Sequence, residues 1–151
     1  HVCVVRAATK FFALPGIRLG YGFTSAEFAE EYRKAENPWS VNAYANAAGR
    51  CIFRDKEYIR RTREYIQREK EYLLHRLSEI GWIRPYESDA NFILIKLLRY
   101  DEDTVFDRMI QNGILIRKAS NFEGLDPSFI RIAVKDHAGN EKLIKLFREF
   151  S

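Results

Sequence analysis

The sequence predicts an α/β chain in three parts. Residues 1–54 read as the end of a larger domain's sheet, residues 55–81 as a long helix bridging two lobes, and residues 82–151 as a small α+β domain. Three observations predict this. Val2 to Val5 is a continuous apolar run, as in a strand buried on both faces of a parallel sheet. The stretch "KEYIRRTREYIQREKEYLLHRLSEI" repeats Tyr58, Tyr65 and Tyr72 every seven residues, together with Ile59, Ile66 and Leu73, so one narrow stripe is apolar. After Gly81 the period changes to short apolar strands alternating with helices.

Each element has a local cause. Ile17 to Phe23 reads as a second strand, with Gly20 and Gly22 allowing close backbone approach. Thr24 with Glu27 forms a capping-box pattern that opens a helix running to about Ala35. Pro38 disfavours helix at Asn37, and Ser40 is placed to cap the small-residue helix "VNAYANAAGRCIF". Asp55 caps the long helix and Gly81 is its expected stop. Solvated charges such as Arg60, Arg61, Glu64 and Lys70 are expected on its other faces, and the interleaved glutamates argue against a nucleic-acid helix. "WIRPY" and "ANFILIKLL" read as strands, Asp103 as the cap of a helix ending before Gly113, and "ILIRKA" and "FIRIAV" as two more strands. A last helix is expected from about Asn140 to Phe150. Strands covered by helices in this order suggest an α+β or split-βαβ unit. The first two strands lack neighbours, and two strands alone do not shelter themselves, so partner strands are expected from residues outside this sequence.

Composition narrows the function. With 46% hydrophobic and 30% charged residues the chain reads as ordered and globular. No apolar run approaches the roughly 20 residues of a membrane span, so no membrane partner is expected. The 25 basic residues against 21 acidic ones leave a net charge of +4, compatible with an anionic ligand but too small to argue for nucleic acid. Cys3 and Cys51 lie in apolar surroundings without metal-type spacing and read as reduced core thiols of a cytoplasmic protein. His1, His75 and His137 form no ligand constellation, so no metal is expected. The opening "HVCVVRAATK" starts almost directly in a strand, which suggests a piece of a longer chain.

The chemistry concentrates in "TKFFALPGIRLGYG", where Lys10 precedes a Pro-Gly turn and Arg18 follows eight residues later. A lysine at the carboxyl end of a buried strand sits where α/β sheets place ligands. Desolvation there, or a cation nearby, makes its amine a better nucleophile toward aldehydes. The planar guanidinium of Arg18 suits a phosphate or carboxylate. A phosphorylated aldehyde such as pyridoxal 5'-phosphate would use both groups; two solvent-facing charges beside a turn are the plainer alternative.

The string resembles the cofactor-lysine motif of pyridoxal-phosphate enzymes of the aspartate-aminotransferase superfamily, a Ser/Thr-Lys followed by Gly-x-Arg-x-Gly-Tyr. That resemblance implies that residues 1–54 end a cofactor-binding large domain, that Lys10 bonds covalently to the cofactor aldehyde, and that Arg18 binds its phosphate, with Thr9 a further hydroxyl. Where relatives commonly carry a serine three residues before the lysine, this chain has Ala7. "SDANFILIK", "GILIRKASNFEGLD" and "FIRIAVKDHAGNEKLIKLF" look like the small domain of the histidinol-phosphate aminotransferase branch. By resemblance Arg131 grips the substrate α-carboxylate, and Asn91 lies in a stretch that recurs in that branch, where it is either a ligand or a structural residue. Arg117 stands fourteen residues before Arg131, on an expected neighbouring strand. This pairing is similar to that of threonine-phosphate decarboxylases of cobalamin biosynthesis, in which paired arginines handle the substrate's carboxylate and phosphate. An ion pair with Glu123 is the structural alternative for Arg117.

The resemblance thus implies a pyridoxal-phosphate lyase acting on a small phosphorylated amino acid or amine, with a histidinol-phosphate aminotransferase as the second possibility. A third class is a non-catalytic interaction module built on residues 55 to 80. By resemblance, the full-length enzyme is expected to be a homodimer. The family's partner for the pyridine nitrogen, its ring-stacking aromatic, its ring-hydroxyl donors and its earlier phosphate loop have no counterpart in these residues. The chain by itself is therefore expected to show little or no turnover.

Overall fold

The structure, a computed structural model, describes residues 2–150. The chain divides into two compact units, one ending at Thr62 and the other starting at Arg63.

In the first unit, β1 (Val4–Ala7) and β2 (Gly20–Phe23) pair antiparallel, with Val4 opposite Phe23 and Ala7 opposite Gly20. Gly20 lets β2 approach β1 closely: a Cβ there would lie 3.2 Å from the Arg6 carbonyl oxygen, a tight contact that the backbone would have to relieve by a few tenths of an ångström. The second strand starts later than expected. Pro15–Ile17 form a 3-10 turn, and Arg18 takes left-handed backbone with φ 58°, so extension begins only beyond it.

The expectation of a strand buried on both faces fails for β1, all four residues of which are exposed. Among the described residues it pairs only with β2, and a two-stranded ladder hides neither face. Cys3 and Cys51 are likewise exposed rather than core thiols. Helix α1 (Ala26–Ala35) is capped by Ser25, not Thr24, since it is the Ser25 hydroxyl that accepts from the Phe28 amide at 3.3 Å. Helix α2 (Ala43–Ile52) is capped by Asn42, not Ser40, whose hydroxyl instead donates to Glu36 at 2.6 Å.

Helix α3 (Lys56–Ser78) starts as expected, with Asp55 accepting from the Tyr58 amide at 2.8 Å. It stops before Gly81, which does not adopt a positive φ; the Ser78 hydroxyl closes the last turn on the His75 carbonyl at 2.7 Å. Lys70, expected in solvent, is buried at 7% exposure. Its four-carbon stem is apolar, and standing three and seven residues before Leu73 and Leu77 it shares their face of the helix.

The second unit is a four-stranded antiparallel sheet in the order β3 (Ile83–Pro85), β4 (Phe92–Leu97), β6 (Phe129–Ala133), β5 (Arg117–Lys118). Both β4 and β5 run antiparallel to β6, so β4, α4 (Glu102–Gln111) and β5 form a split βαβ unit with β6 between its strands. Ile93, Ile95, Leu97, Ile130 and Ile132 cover one face of the sheet and join a core with Leu73, Val105, Met109 and Phe147. Helix α4 is capped by Asp101, which accepts from the Thr104 amide at 2.8 Å, while Asp103 pairs with Lys118 instead. Gly113 beyond α4 has φ 74°, the left-handed stop that its position suggested. Helix α5 (His137–Arg148) begins three residues before the expected Asn140, because Asp136 accepts from the Gly139 amide at 2.9 Å.

Candidate active site

Two groups of polar residues stand out, one in each unit. In the first unit Thr9 and Lys10 lie in the turn that leaves β1, and Arg18 lies between the 3-10 turn and β2. Backbone bonds fold the turn tightly: Phe12 N donates to Ala8 O at 3.1 Å, Ala13 N to Lys10 O at 3.2 Å and Leu14 N to Thr9 O at 3.1 Å. The adjacent rings hold it. Phe12 stacks on Tyr58 at 5.8 Å and meets Phe53 edge-on at 5.6 Å, and the Tyr58 hydroxyl donates to Phe11 O at 3.1 Å. Asn42 secures the other side. Its Oδ1 caps α2 through the Ala45 amide at 2.8 Å, and its Nδ2 donates to Ile17 O at 3.1 Å, immediately before Arg18.

Lys10 and Arg18 are both exposed, and among the described residues neither has a carboxylate within ion-pair distance. The desolvated lysine that a buried strand would have produced is not formed by these residues, for the same reason that β1 is exposed. The donor set still fits a phosphorylated aldehyde: a primary amine, a planar guanidinium and the half-buried Thr9 hydroxyl on one braced turn. Ala7 adds no donor.

In the second unit the sheet face away from the core carries Arg117, Arg131, Phe92 and Lys96. Arg117 and Arg131 are direct cross-strand partners, so their side chains rise from the same face. Neither has a carboxylate partner among the described residues, and the alternative ion pair of Arg117 with Glu123 does not form. Two like charges set opposite each other, with no counter-ion among the described residues, have the chemistry to suit a dianion or two anionic groups. Asn91 is exposed at the start of β4, and its carbonyl accepts from the Val134 amide at 2.9 Å.

Sequence reasoning missed the supports of these residues. Phe92 lies under Arg131, 4.7 Å from guanidinium carbon to ring centre, and Phe122 lies near both arginines. Both phenylalanines stand in stretches already singled out, "ANF" and "SNFEG", but a ring's contact with an arginine on a neighbouring strand distant in sequence leaves no local pattern. Glu102 is 4% exposed and accepts from the amides of Ala119 (2.7 Å) and Ser120 (3.1 Å) and from the Ser120 hydroxyl. Glu69, also 4% exposed, accepts from Asn140 at 3.1 Å and contacts His137 Nδ1 at 3.1 Å. Burial pushes the Glu69 carboxyl up, but these two hydrogen bonds outweigh it, with help from the His137 and Arg68 charges, and hold it below its ordinary value.

Residues 1–147 match the family model "Aminotransferase class I and II". The chain belongs to that family. It is 47% identical over 145 residues to a protein of Caldanaerobacter subterraneus subsp. tengcongensis provisionally named a threonine-phosphate decarboxylase, covering 96% of this chain and 40% of that protein. Among solved structures, the histidinol-phosphate aminotransferase from Clostridium acetobutylicum superposes with a TM-score of 0.91 at 37% identity, covering 98% of this chain and 45% of that one. The L-threonine-O-3-phosphate decarboxylase from Porphyromonas gingivalis superposes with a TM-score of 0.85 at 28% identity, covering 98% and 46%. The chain thus spans less than half the length of these class I and II relatives. No helix among the described residues is long and apolar enough to cross a membrane.

Proposed function

We propose that this chain supplies the cofactor lysine and the substrate-anchoring arginines of a pyridoxal-5'-phosphate enzyme that decarboxylates L-threonine phosphate to aminopropanol phosphate. The observation that carries the proposal is the Arg117–Arg131 pair, two cross-strand guanidiniums without carboxylate partners among the described residues, because a phosphorylated amino acid presents two anions to be held. Likeness to both a decarboxylase and an aminotransferase supports the wider class, a pyridoxal-phosphate enzyme of phosphorylated amino acids or amines.

Lys10 Nζ is the covalent anchor for the cofactor aldehyde, Arg18 binds the cofactor phosphate and Thr9 adds a hydroxyl. Bound there, pyridoxal 5'-phosphate supplies an electron-withdrawing ring that accepts the pair left when a bond at the substrate Cα breaks. Arg131 holds the α-carboxylate through a two-pronged contact and so sets which Cα bond is aligned for cleavage. Arg117 takes the substrate phosphate, and Asn91 is a further polar contact at the start of β4 in the same sheet. Once the substrate amine has displaced it, Lys10 Nζ is free to carry a proton to or from Cα. In the decarboxylase CO2 leaves and a proton returns to Cα. In an aminotransferase the Cα proton leaves instead and a keto product results. We further propose a cytoplasmic homodimer as the working form.

Product analysis tests this in the intact polypeptide carrying the sequence. With L-threonine phosphate, CO2 and aminopropanol phosphate are expected without an amino acceptor. A keto product that forms from histidinol phosphate only when a keto acid is supplied would replace the decarboxylase with the aminotransferase. Turnover that survives Lys10→Ala would overturn both.

A further inference from the structure

Arg117 and Arg131 face each other across β5 and β6, yet like charges directly opposite destabilise a ladder. One ring stands beside both. Phe122 lies with its centre 5.6 Å from the Arg117 guanidinium carbon and 5.8 Å from that of Arg131. The Phe92 ring lies 4.7 Å from the Arg131 guanidinium carbon, so among the described residues Arg131 has two aromatic neighbours and Arg117 has one.

The loop that carries Phe122 is held on both sides. Phe122 N donates to Ala119 O at 3.0 Å, Leu125 N donates to Phe122 O at 3.1 Å, and Gly124 takes φ 83° to close the turn. Before the ring, the buried Glu102 carboxylate fixes the amides of Ala119 and Ser120. After it, Ser128 O accepts from Leu97 N at 2.7 Å and Pro127 O from Glu102 N at 2.7 Å, which ties the loop to β4 and to the start of α4. A side chain that is 40% exposed on so well-tethered a backbone is placed for contact rather than for the core.

We infer that Phe122 is a positioning residue that fixes the separation of the Arg117 and Arg131 guanidiniums, so that together they take the two anionic ends of one small ligand. The inference rests on the proposed role of these arginines as substrate anchors. An aromatic face attracts a guanidinium and reduces the rotamers open to it, so both cations are ordered before a ligand arrives. Without the ring the two charges repel and swing apart. A ligand with one anion loses little, because Phe92 still supports Arg131. A ligand with two anions loses the match between its ends and the two forks. Phe122 therefore governs the preference for doubly anionic amino acids rather than affinity in general.

The test compares dissociation constants for O-phospho-L-threonine and L-threonine, measured by titration calorimetry on the intact polypeptide as wild type, Phe122→Leu and Phe122→Trp. Phe122→Leu is expected to reduce the preference for the phosphorylated probe about five- to tenfold, in line with two lost cation–π contacts, while Phe122→Trp retains it. An unchanged preference in Phe122→Leu overturns the role of Phe122 and leaves the arginines as anchors. A wild type with no preference for the phosphorylated probe overturns the anchoring role and the inference with it. A second readout needs no substrate. The Hε resonances of Arg117 and Arg131 in this chain should carry ring-current shifts that vanish in Phe122→Leu and persist in Phe122→Trp. Shifts that do not respond to Phe122→Leu in a protein of unchanged circular dichroism overturn the inference.

Discussion

Replacing Glu102 with alanine should destabilise the second unit by about 2–3 kcal/mol. The carboxylate is 4% exposed and accepts from two backbone amides and one hydroxyl of the loop after β5. A hydrogen bond to a charged acceptor contributes about 1.5–3 kcal/mol, but the three do not simply add. Ala119 N has a second acceptor in Phe129 O at 3.2 Å, and exposed Ser120 can turn to water. The net loss is therefore close to one strong bond to a charged acceptor, since the fully buried Ala119 amide keeps only its longer bond to Phe129 O. Glu102→Gln keeps a neutral acceptor and should cost only about 1 kcal/mol. Urea unfolding followed by Trp82 fluorescence in a Trp39→Phe background reads the second unit, since Trp82 packs on its core and Trp39 is 95% exposed. With a urea slope of about 1–3 kcal/mol/M, Glu102→Ala should move the midpoint down by about 0.7–3 M. Amide exchange at Ala119 and Ser120 should speed up in parallel. A midpoint and exchange rates equal to wild type would refute the claim that this carboxylate anchors the loop.

Three further outcomes are expected. The folded Glu69 carboxyl is held below its ordinary value of 4.5, so its stabilisation is fully present above that pH and is lost as pH falls through the lower folded value; the stability gap between wild type and Glu69→Gln should close on acidification, as pH-dependent urea midpoints would show. Asn42→Ala removes both the α2 cap and the bond to Ile17 O, and should cost the first unit about 1–2 kcal/mol in denaturant titrations. Arg131→Lys keeps the charge but loses the planar fork. It should raise KM for the amino-acid substrate about tenfold or more, and steady-state kinetics on the intact polypeptide would expose the error if KM stayed put.

Much of the fold was legible because the second unit buries its own apolar pattern. Ile93, Ile95, Leu97, Ile130 and Ile132 alternate as a one-sided sheet requires, and Leu73 and Leu77 fall on the expected stripe of α3. Errors of one to three residues arose at helix starts, where several capping side chains stand close together: Thr24 beside Ser25, Ser40 near Asn42, Asp101 near Asp103. Composition alone does not choose among them; the backbone angle that carries an oxygen to the third amide does. The first unit misled for another reason. Apolar residues such as Val4, Val5 and Cys3 signalled a core, but the described residues contain nothing that covers them. The candidate site was legible as residue types and spacing, Lys10 to Arg18 and Arg117 to Arg131. What braces them was not, since Phe122, Asn42 and Glu102 act through contacts between segments distant in sequence.

The central claim is that Lys10 is the cofactor lysine. Borohydride reduction of the intact polypeptide with pyridoxal 5'-phosphate, followed by peptide mass mapping, tests it most directly. One equivalent of label on Lys10, abolished by Lys10→Ala, is the result expected. Label scattered over many lysines, or concentrated on another one, would contradict it.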